Sequence, residues 1–554
     1  MQSSLQRTCQ CHIYLFLRKI SVCVDDWMSL VVAFFACINY IKCMPNPKLK
    51  AADRDFFEAL ADVVFGNPFS PQRDELIVRL APGAKAGDLT DDREALARVV
   101  GPRLAPWLRA GLPAMQGLSA EDRRLLEPAV LYVCYHRYVP QLDALIERQA
   151  TQGGNSLTVP FADEAIAQLV GGGMPEERAV RFFAFYFQLR RAFYFINLGL
   201  AGECASMQTL REALWNNIFT HDMRGYEAAL WNRMEDFSTL VLGETGTGKG
   251  SAAAAIGRSG FIPYVPAQRR FAANFTETFI AINLSQFPEA LIESELFGHR
   301  KGSFTGAIDN HEGVFSRCSE HGALFLDEIG EVSIPVQIKL LQVLQERTFT
   351  PLGGHEKKRF AGRVIAATNQ SLGKMRSEGR FRDDFFYRLC SDVIEVPTLR
   401  QRILESPGEL GNLVRLLLAR ITGSPAPPIV VAVLEALGKH LPQDYPWPGN
   451  VRELEQALRR ILLTGRYTAQ TVAVQGQEET LLELLRSGEM TAAELLARYS
   501  AMLYRRFGTY AEVAKRTGLD PRTSRKYVES DEAGAPDFAG YRAPPKGRGT
   551  RGEG

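Results

Sequence analysis

The sequence predicts an α/β core built on a parallel sheet with a helical lid, preceded by a mostly α-helical region and followed by a helix-turn-helix. Three observations carry this prediction. A buried strand, Phe237 to Leu242, runs straight into the glycine-rich loop Gly243-Glu244-Thr245-Gly246-Thr247-Gly248-Lys249 and a small-residue helix from Ser251 to Ile256. A second apolar strand, Gly322-Ala323-Leu324-Phe325-Leu326, ends in the carboxylates Asp327 and Glu328. Near the C-terminus, two short helical patterns flank a turn at Gly518.

The chain has 554 residues, enough for about three or four domains of ordinary size. Its 46% hydrophobic and 23% charged residues are those of a globular protein, which excludes collagen-like, mainly disordered and polytopic membrane classes. With 65 Lys and Arg against 63 Asp and Glu, the net charge is only +2, so any nucleic-acid contact must come from a local patch.

Residues 1–43 differ from the rest. They hold five of the nine cysteines, Cys9, Cys11, Cys23, Cys37 and Cys43, without zinc-ligand spacing. Their apolar run from Leu30 to Ile41 is shorter than the ~20 residues of a spanning helix. We expect an upstream start before Met44 or an unstructured extension, and no function. The scattered Cys134, Cys204, Cys318 and Cys390 suit a reducing cytoplasm.

Residues 44–214 read as a helical sensory or regulatory domain. Helical period covers Asp53 to Phe65, Asp91 to Leu108, Ala120 to Gln149 and Pro175 to Leu200. The aromatic run from Phe182 to Phe195 reads first as a buried core helix and second as the wall of a ligand pocket. His136 reads as structural. The inducing signal is not legible here.

The chemistry lies in residues 237–465. A strand, a glycine loop and a helix are the context of a phosphate-binding loop. Backbone N–H groups close around the phosphates, the helix N-terminus adds positive potential, and Lys249 reaches the β and γ oxygens. Gly250 follows Lys249 where a general P-loop has a Ser or Thr magnesium ligand, and Ser251 comes next. Asp327 would hold Mg2+ through water, and Glu328 would polarise the attacking water. ATP is the expected nucleotide.

Between these motifs runs Glu293-Ser294-Glu295-Leu296-Phe297-Gly298-His299-Arg300-Lys301-Gly302-Ser303-Phe304-Thr305-Gly306-Ala307. It closely resembles the signature of bacterial enhancer-binding proteins, the AAA+ ATPases that activate sigma-54 RNA polymerase. The resemblance covers about residues 215–465. It implies that Gly302, Ser303, Phe304, Thr305, Gly306 and Ala307 form the sigma-54 contact, with Ser303 where the family has Ala. It implies that Asn283 holds the catalytic Glu away from water, and that Thr368 and Asn369, after the strand Val364 to Ala367, sense the γ-phosphate. Arg382 and Arg388 become candidates for a trans-acting arginine, unranked, which requires a ring, a hexamer being the expected size. Tyr445-Pro446-Trp447-Pro448-Gly449-Asn450-Val451-Arg452 resembles sensor II, with Asn450 capping a helix and Arg452 facing the nucleotide. The stretch 257–278 is longer than the usual connection and matches no motif.

At the C-terminus, Ala511, Val513, Ala514 and Leu519 would face a small core. Asp520 would cap a helix begun by Pro521. Arg522, Thr523, Ser524, Arg525 and Lys526 would form the face that reads enhancer DNA. The expected organisation is 44–214 sensory, 215–400 ATPase, 401–467 lid, 468–530 DNA-binding and 531–554 a flexible basic tail. The expected function is a cytoplasmic, non-membrane activator that opens sigma-54 promoters. The alternatives are a AAA+ ATPase remodelling another protein and a DNA-binding regulator whose nucleotide site does not turn over.

Overall fold

The computed structural model describes residues 48–84, 89–423, 427–442, 445–467, 490–507 and 509–532. The amino-terminal extension and the tail beyond 532, with the expectations placed on them, lie outside the described residues. The chain divides into two compact units, 1–467 and 468–554. No described helix is long and apolar enough to cross a membrane.

The larger unit begins with helices α1 (Ala51–Phe65), α2 (Pro71–Leu80), α3 (Leu89–Gly117) and α4 (Ala120–Gln152). Next come α5 (Ala162–Gly171), α6 (Glu176–Gly199) and α7 (Ala205–Phe219). Helix α6 carries aromatics on more than one face because it packs on more than one side; Phe182, Phe183, Phe185 and Phe187 are all buried.

The sheet follows. Strands β1 (Thr239–Leu242), β4 (Phe279–Asn283), β5 (Ala323–Asp327), β8 (Arg363–Thr368) and β9 (Asp392–Glu395) lie in the order β4-β5-β8-β1-β9, all parallel, with a small antiparallel pair, β6 (Thr348–Phe349) and β7 (Lys358–Arg359), between β5 and β8 in the chain. The first strand starts two residues later than the apolar run suggests, since Phe237 is exposed. The P-loop helix α8 (Lys249–Gly257) follows β1.

Side chains alternate along each strand, and each face has its own core. Leu240, Leu324, Leu326, Val364 and Ala366 face helix α10 (Ile334–Glu346), counted after α9 (Glu289–Phe297). Val241, Phe325, Ile365 and Ala367 belong instead to the cluster formed by the amino-terminal helices. The helical region is therefore the second cover of the sheet.

The stretch 257–278 is the dock for that cover. It folds into a hairpin, β2 (Tyr264–Val265) against β3 (Arg270–Phe271), and α6 lays its aromatics on it. Phe187 stacks on Phe271 at 4.1 Å, Phe183 meets Tyr264 at 5.0 Å and Phe195 meets Phe275 at 5.5 Å. Thr158 bridges to Arg270, and the Val159 N–H donates to the Arg269 carbonyl at 2.9 Å.

After β9 come α11 (Glu409–Thr422), α12 (Pro427–His440) and α13 (Asn450–Thr464), which form the lid. The smaller unit contains α14 (Ala492–Phe507), α15 (Tyr510–Thr517) and α16 (Pro521–Glu532) around Leu503, Val513 and Val528. Gly518 ends α15 in the left-handed conformation, φ 71°. Ala511, expected in this core, is exposed one residue off the buried stripe.

Candidate functional site: a nucleotide cleft and an exposed loop

The nucleotide cleft opens at the carboxyl ends of the strands, where ligands bind in open parallel sheets. It encloses about 490 Å³. Thr245 through Ser251 line it with Asn283, Asp327, Glu328 and Arg452. The sheet register explains part of this grouping, because Asn283 pairs with Asp327 across β4 and β5, and Leu242 with Thr368 across β1 and β8. Leu200, Met207 and Leu210 from the helical region and Leu413 and Leu417 from the lid supply apolar wall.

The loop is shaped by its glycines. Gly243, Gly246 and Gly248 have φ of 153°, 80° and 110°, and a Cβ on Gly246 would lie 2.2 Å from the Gly449 carbonyl oxygen. The Lys249 Nζ donates to the carbonyls of Gly243 at 2.9 Å and Glu244 at 3.2 Å. Burial pulls this ammonium below its usual range, and Glu328 and Asp327 only partly offset that.

Glu328 occupies the left-handed region at φ 55°, which costs a non-glycine residue ~1–3 kcal/mol. Burial raises its pKa above the usual glutamate range, against the pull of Lys249. A carboxylate held in this way is a stronger base than a free one. Asp327 accepts the Glu328 N–H at 3.1 Å. For Mg2+, the two carboxylates present the hard oxygens such an ion prefers, while Gly250 brings no hydroxyl.

Thr368 is buried and accepts the Gln370 N–H, while the Asn369 amide donates to the Thr245 hydroxyl at 2.8 Å. Asn369 therefore ties β8 to the P-loop.

Two expectations need correction. Asn283 does not engage Glu328; its amide oxygen accepts from the Ser285 N–H at 3.0 Å and hydroxyl at 2.7 Å, capping the short turn after β4. Asn450 does not cap its helix. Gly449 is the N-cap, and Glu453 accepts the Gly449 N–H at 2.8 Å. The Asn450 amide instead donates to the Glu244 carboxylate and the Thr245 carbonyl, and accepts the Leu399 N–H at 2.8 Å.

Arg400 also chelates Glu244. Burial opposes ionisation of that carboxyl, but Arg400 and Asn450 outweigh it and hold the pKa low. The pairing of Arg400 with Glu244 has no sequence signal, since it depends on the helix Leu399–Glu405, after β9, meeting the loop.

Arg382 and Arg388 lie away from this cleft. Arg382 is chelated by Asp384, with Nη2–Oδ2 at 2.7 Å, on a half-exposed surface. Arg388 donates through Nε and Nη2 to the Leu344 carbonyl at 3.0 and 2.8 Å.

The loop from Gly302 to Ala307 projects from a base where His299 bridges to His311 and to Leu352. The Gly302 N–H donates to the Ala307 carbonyl at 2.8 Å, and Gly302 and Gly306 have φ of 82° and 102°. Phe304 rests edge-on against His299 at 4.9 Å and stays 36% exposed. The Ser303 hydroxyl donates to the Leu352 carbonyl at 2.8 Å and also contacts the Arg300 carbonyl, so it braces the loop base.

The Sigma-54 interaction domain family matches residues 223–395. The chain is 34% identical over 321 residues to the transcriptional regulatory protein GlrR of Escherichia coli (strain K12), covering 57% of this chain and 67% of that one. It belongs to the sigma-54-dependent enhancer-binding proteins. This member is also 40% identical to the Nif-specific regulatory protein of Azotobacter vinelandii, over 45% of its own length and 44% of the relative's. It is 38% identical to the DNA-binding transcriptional regulator NtrC of Azospirillum brasilense, over 45% and 47%. The match thus spans less than half of those two relatives. In this enhancer-binding protein, the P-loop, the acidic strand end and the 302–307 loop all belong to the matched α/β region.

In the smaller unit, Asp520 accepts the N–H groups of Arg522 at 2.9 Å and Thr523 at 3.1 Å. Arg522, Arg525 and Lys526 are exposed, with Arg525 paired to Glu529 at 2.7 Å. Ser524 is fully buried and lies on the core side of α16, not on the exposed face. The helical repeat places Ser524 with Tyr527 and Val528, which are also buried.

Proposed function

We propose that this chain uses ATP hydrolysis in an oligomeric ring, a hexamer, to remodel sigma-54 RNA polymerase holoenzyme and open promoters. The carrying observation is that the Gly302–Ala307 loop, with Phe304 held partly exposed, belongs to the same α/β unit as Lys249, Asp327 and Glu328. Lys249 would move from its loop carbonyls onto the nucleotide phosphates. Glu328 would orient and deprotonate the attacking water. Bound Mg2+, held by Asp327 through water, would neutralise phosphate charge. Thr368 and Asn369 would register loss of the γ-phosphate, and the bond from Asn369 to Thr245 gives that change a route to the loop.

Arg382 or Arg388 would act on a neighbouring subunit's nucleotide, which is supported by neither of them lining this chain's own cleft. Phe304 and Thr305 would contact sigma-54. Arg522, Arg525 and Lys526, with Thr523, would hold enhancer DNA. A polymerase partner would put the chain in the cytoplasm.

The test is ATP-dependent open-complex formation on a sigma-54 promoter by the full chain. A fragment beginning near residue 217 would strip α6 from Phe271 and Phe275. Open complexes should form with the native loop and vanish in Thr305→Ala, while hydrolysis persists. Hydrolysis without promoter opening by the native chain would sink this reading.

A further inference from the structure

The turn 350–357, between β6 and β7, lies against the base of the 302–307 loop. The Leu352 N–H donates to the Gly298 carbonyl at 2.9 Å, and the Arg300 N–H donates to the Leu352 carbonyl at 3.0 Å. Both bonds precede the loop and fix only its entry. Arg300 also approaches Glu356 at 3.9 Å, but both side chains are exposed, so that pair adds little.

One bond from the turn reaches into the loop itself. The Ser303 hydroxyl, half-buried, donates to the Leu352 carbonyl at 2.8 Å. Among the described residues it is the only hydrogen bond between 302–307 and the turn. The bonds from the Gly302 N–H to the Ala307 carbonyl and from the Ala307 N–H to the Phe304 carbonyl are internal and travel with the loop. Phe304 follows Ser303 directly, and its ring rests on His299 while Ser303 is held.

The turn is shaped to receive that hydroxyl. Gly353 has φ 70°, and a Cβ there would lie 2.3 Å from the Ser303 oxygen and 2.9 Å from the Ser303 Cβ. A side chain at 353 would therefore take the place the hydroxyl occupies. Ser303 stands where the loop of the family has Ala, so this bond belongs to the chain.

We propose that Ser303 is a positioning residue whose hydroxyl fastens the loop to the 350–357 turn, and that the loop extends to sigma-54 only when this bond breaks. The proposal rests on the promoter-opening reading for its partner, while the fastening itself is measured without sigma-54. Only the extended fraction binds, so apparent affinity is reduced by that fraction. Removing the hydroxyl should therefore strengthen sigma-54 binding, where loss of a merely structural bond would weaken it.

Hydrogen exchange of the 302–308 amides in the full chain, followed by mass spectrometry, tests the fastening. Exchange should be about five-fold faster in Ser303→Ala, the scale of one hydrogen bond. Gly353→Ala should act alike from the other side, because its Cβ displaces the hydroxyl. Fluorescence anisotropy with labelled sigma-54 in the presence of ADP reads the consequence. Both variants should bind about five-fold more tightly than the native chain.

Native exchange rates in either variant would overturn the fastening. Faster exchange with sigma-54 affinity unchanged or weakened would overturn its role in restraining the contact. A native chain that binds sigma-54 with neither ADP nor a non-hydrolysable ATP analogue would instead fail the promoter reading, and the exchange rates would still decide whether Ser303 fastens the loop.

Discussion

Glu328 combines three costs at one position: positive φ, partial burial and a neighbouring carboxylate, Asp327. Such strain persists where the surrounding structure enforces it, here a strand end closed against the P-loop. Glu328→Gln should retain ATP binding and lose hydrolysis by ~10²–10⁴-fold, the usual contribution of a general base, measured by single-turnover assay. The base works ionised and its pKa is raised, so the acid limb of kcat/KM should fall above the ordinary glutamate value of ~4.3 as pH drops. A limb at the ordinary value would remove burial as the activating factor. Lys249, Asp327 and Glu328 were legible in sequence because their chemistry is local to one loop and one strand end. The roles of Asn283 and Asn450 were not, because an amide caps, bridges or clamps according to what lies opposite.

Helix α6 is the element on which the two halves of the larger unit depend. Arg191 is completely buried, and burial lowers its guanidinium to about 9, so it remains charged at neutral pH. There it meets the C-terminal end of the P-loop helix, where a cation complements the helix dipole and orphan carbonyls. Arg191→Met should keep the packing volume and leave the Arg258 and Gly260 carbonyls without that donor. We expect a loss of ~1–3 kcal/mol in thermal or denaturant unfolding, with a raised KM for ATP as the P-loop loses its support. Phe187→Ala should cost ~3–5 kcal/mol, since it removes the ring stacked on Phe271. If Phe187→Ala unfolds like the native chain, the hairpin is not the dock, and if Arg191→Met does, the guanidinium does not support the P-loop helix. The aromatic run was readable as a buried helix, but its partner was not, because the 257–278 stretch carries no period or motif that names α6.

At the scale of the molecule, the proposed ring rests on an arginine acting in trans, and neither Arg382 nor Arg388 lines the cleft of its own subunit. Arg388→Ala should lower ATPase by ~10³–10⁵-fold if it is the trans-acting arginine. Mixing it with Lys249→Ala subunits should restore part of the activity, because some interfaces then join an intact P-loop to an intact arginine. The same mixing with Arg382→Ala ranks the two candidates. Mixtures that stay as inactive as their parents would mean the arginines act within one subunit.

Local chemistry was enough to place the P-loop, the acidic strand end and the capped helix at Pro521, because each is a short contiguous pattern whose backbone dictates its residues, whereas the 302–307 loop was singled out by family resemblance alone. Only the tertiary structure decided that the helical region covers one face of the sheet, that Ser303 braces the loop base and that Ser524 turns inward. These depend on contacts between residues far apart in sequence, and such contacts are set by packing, which no single segment encodes.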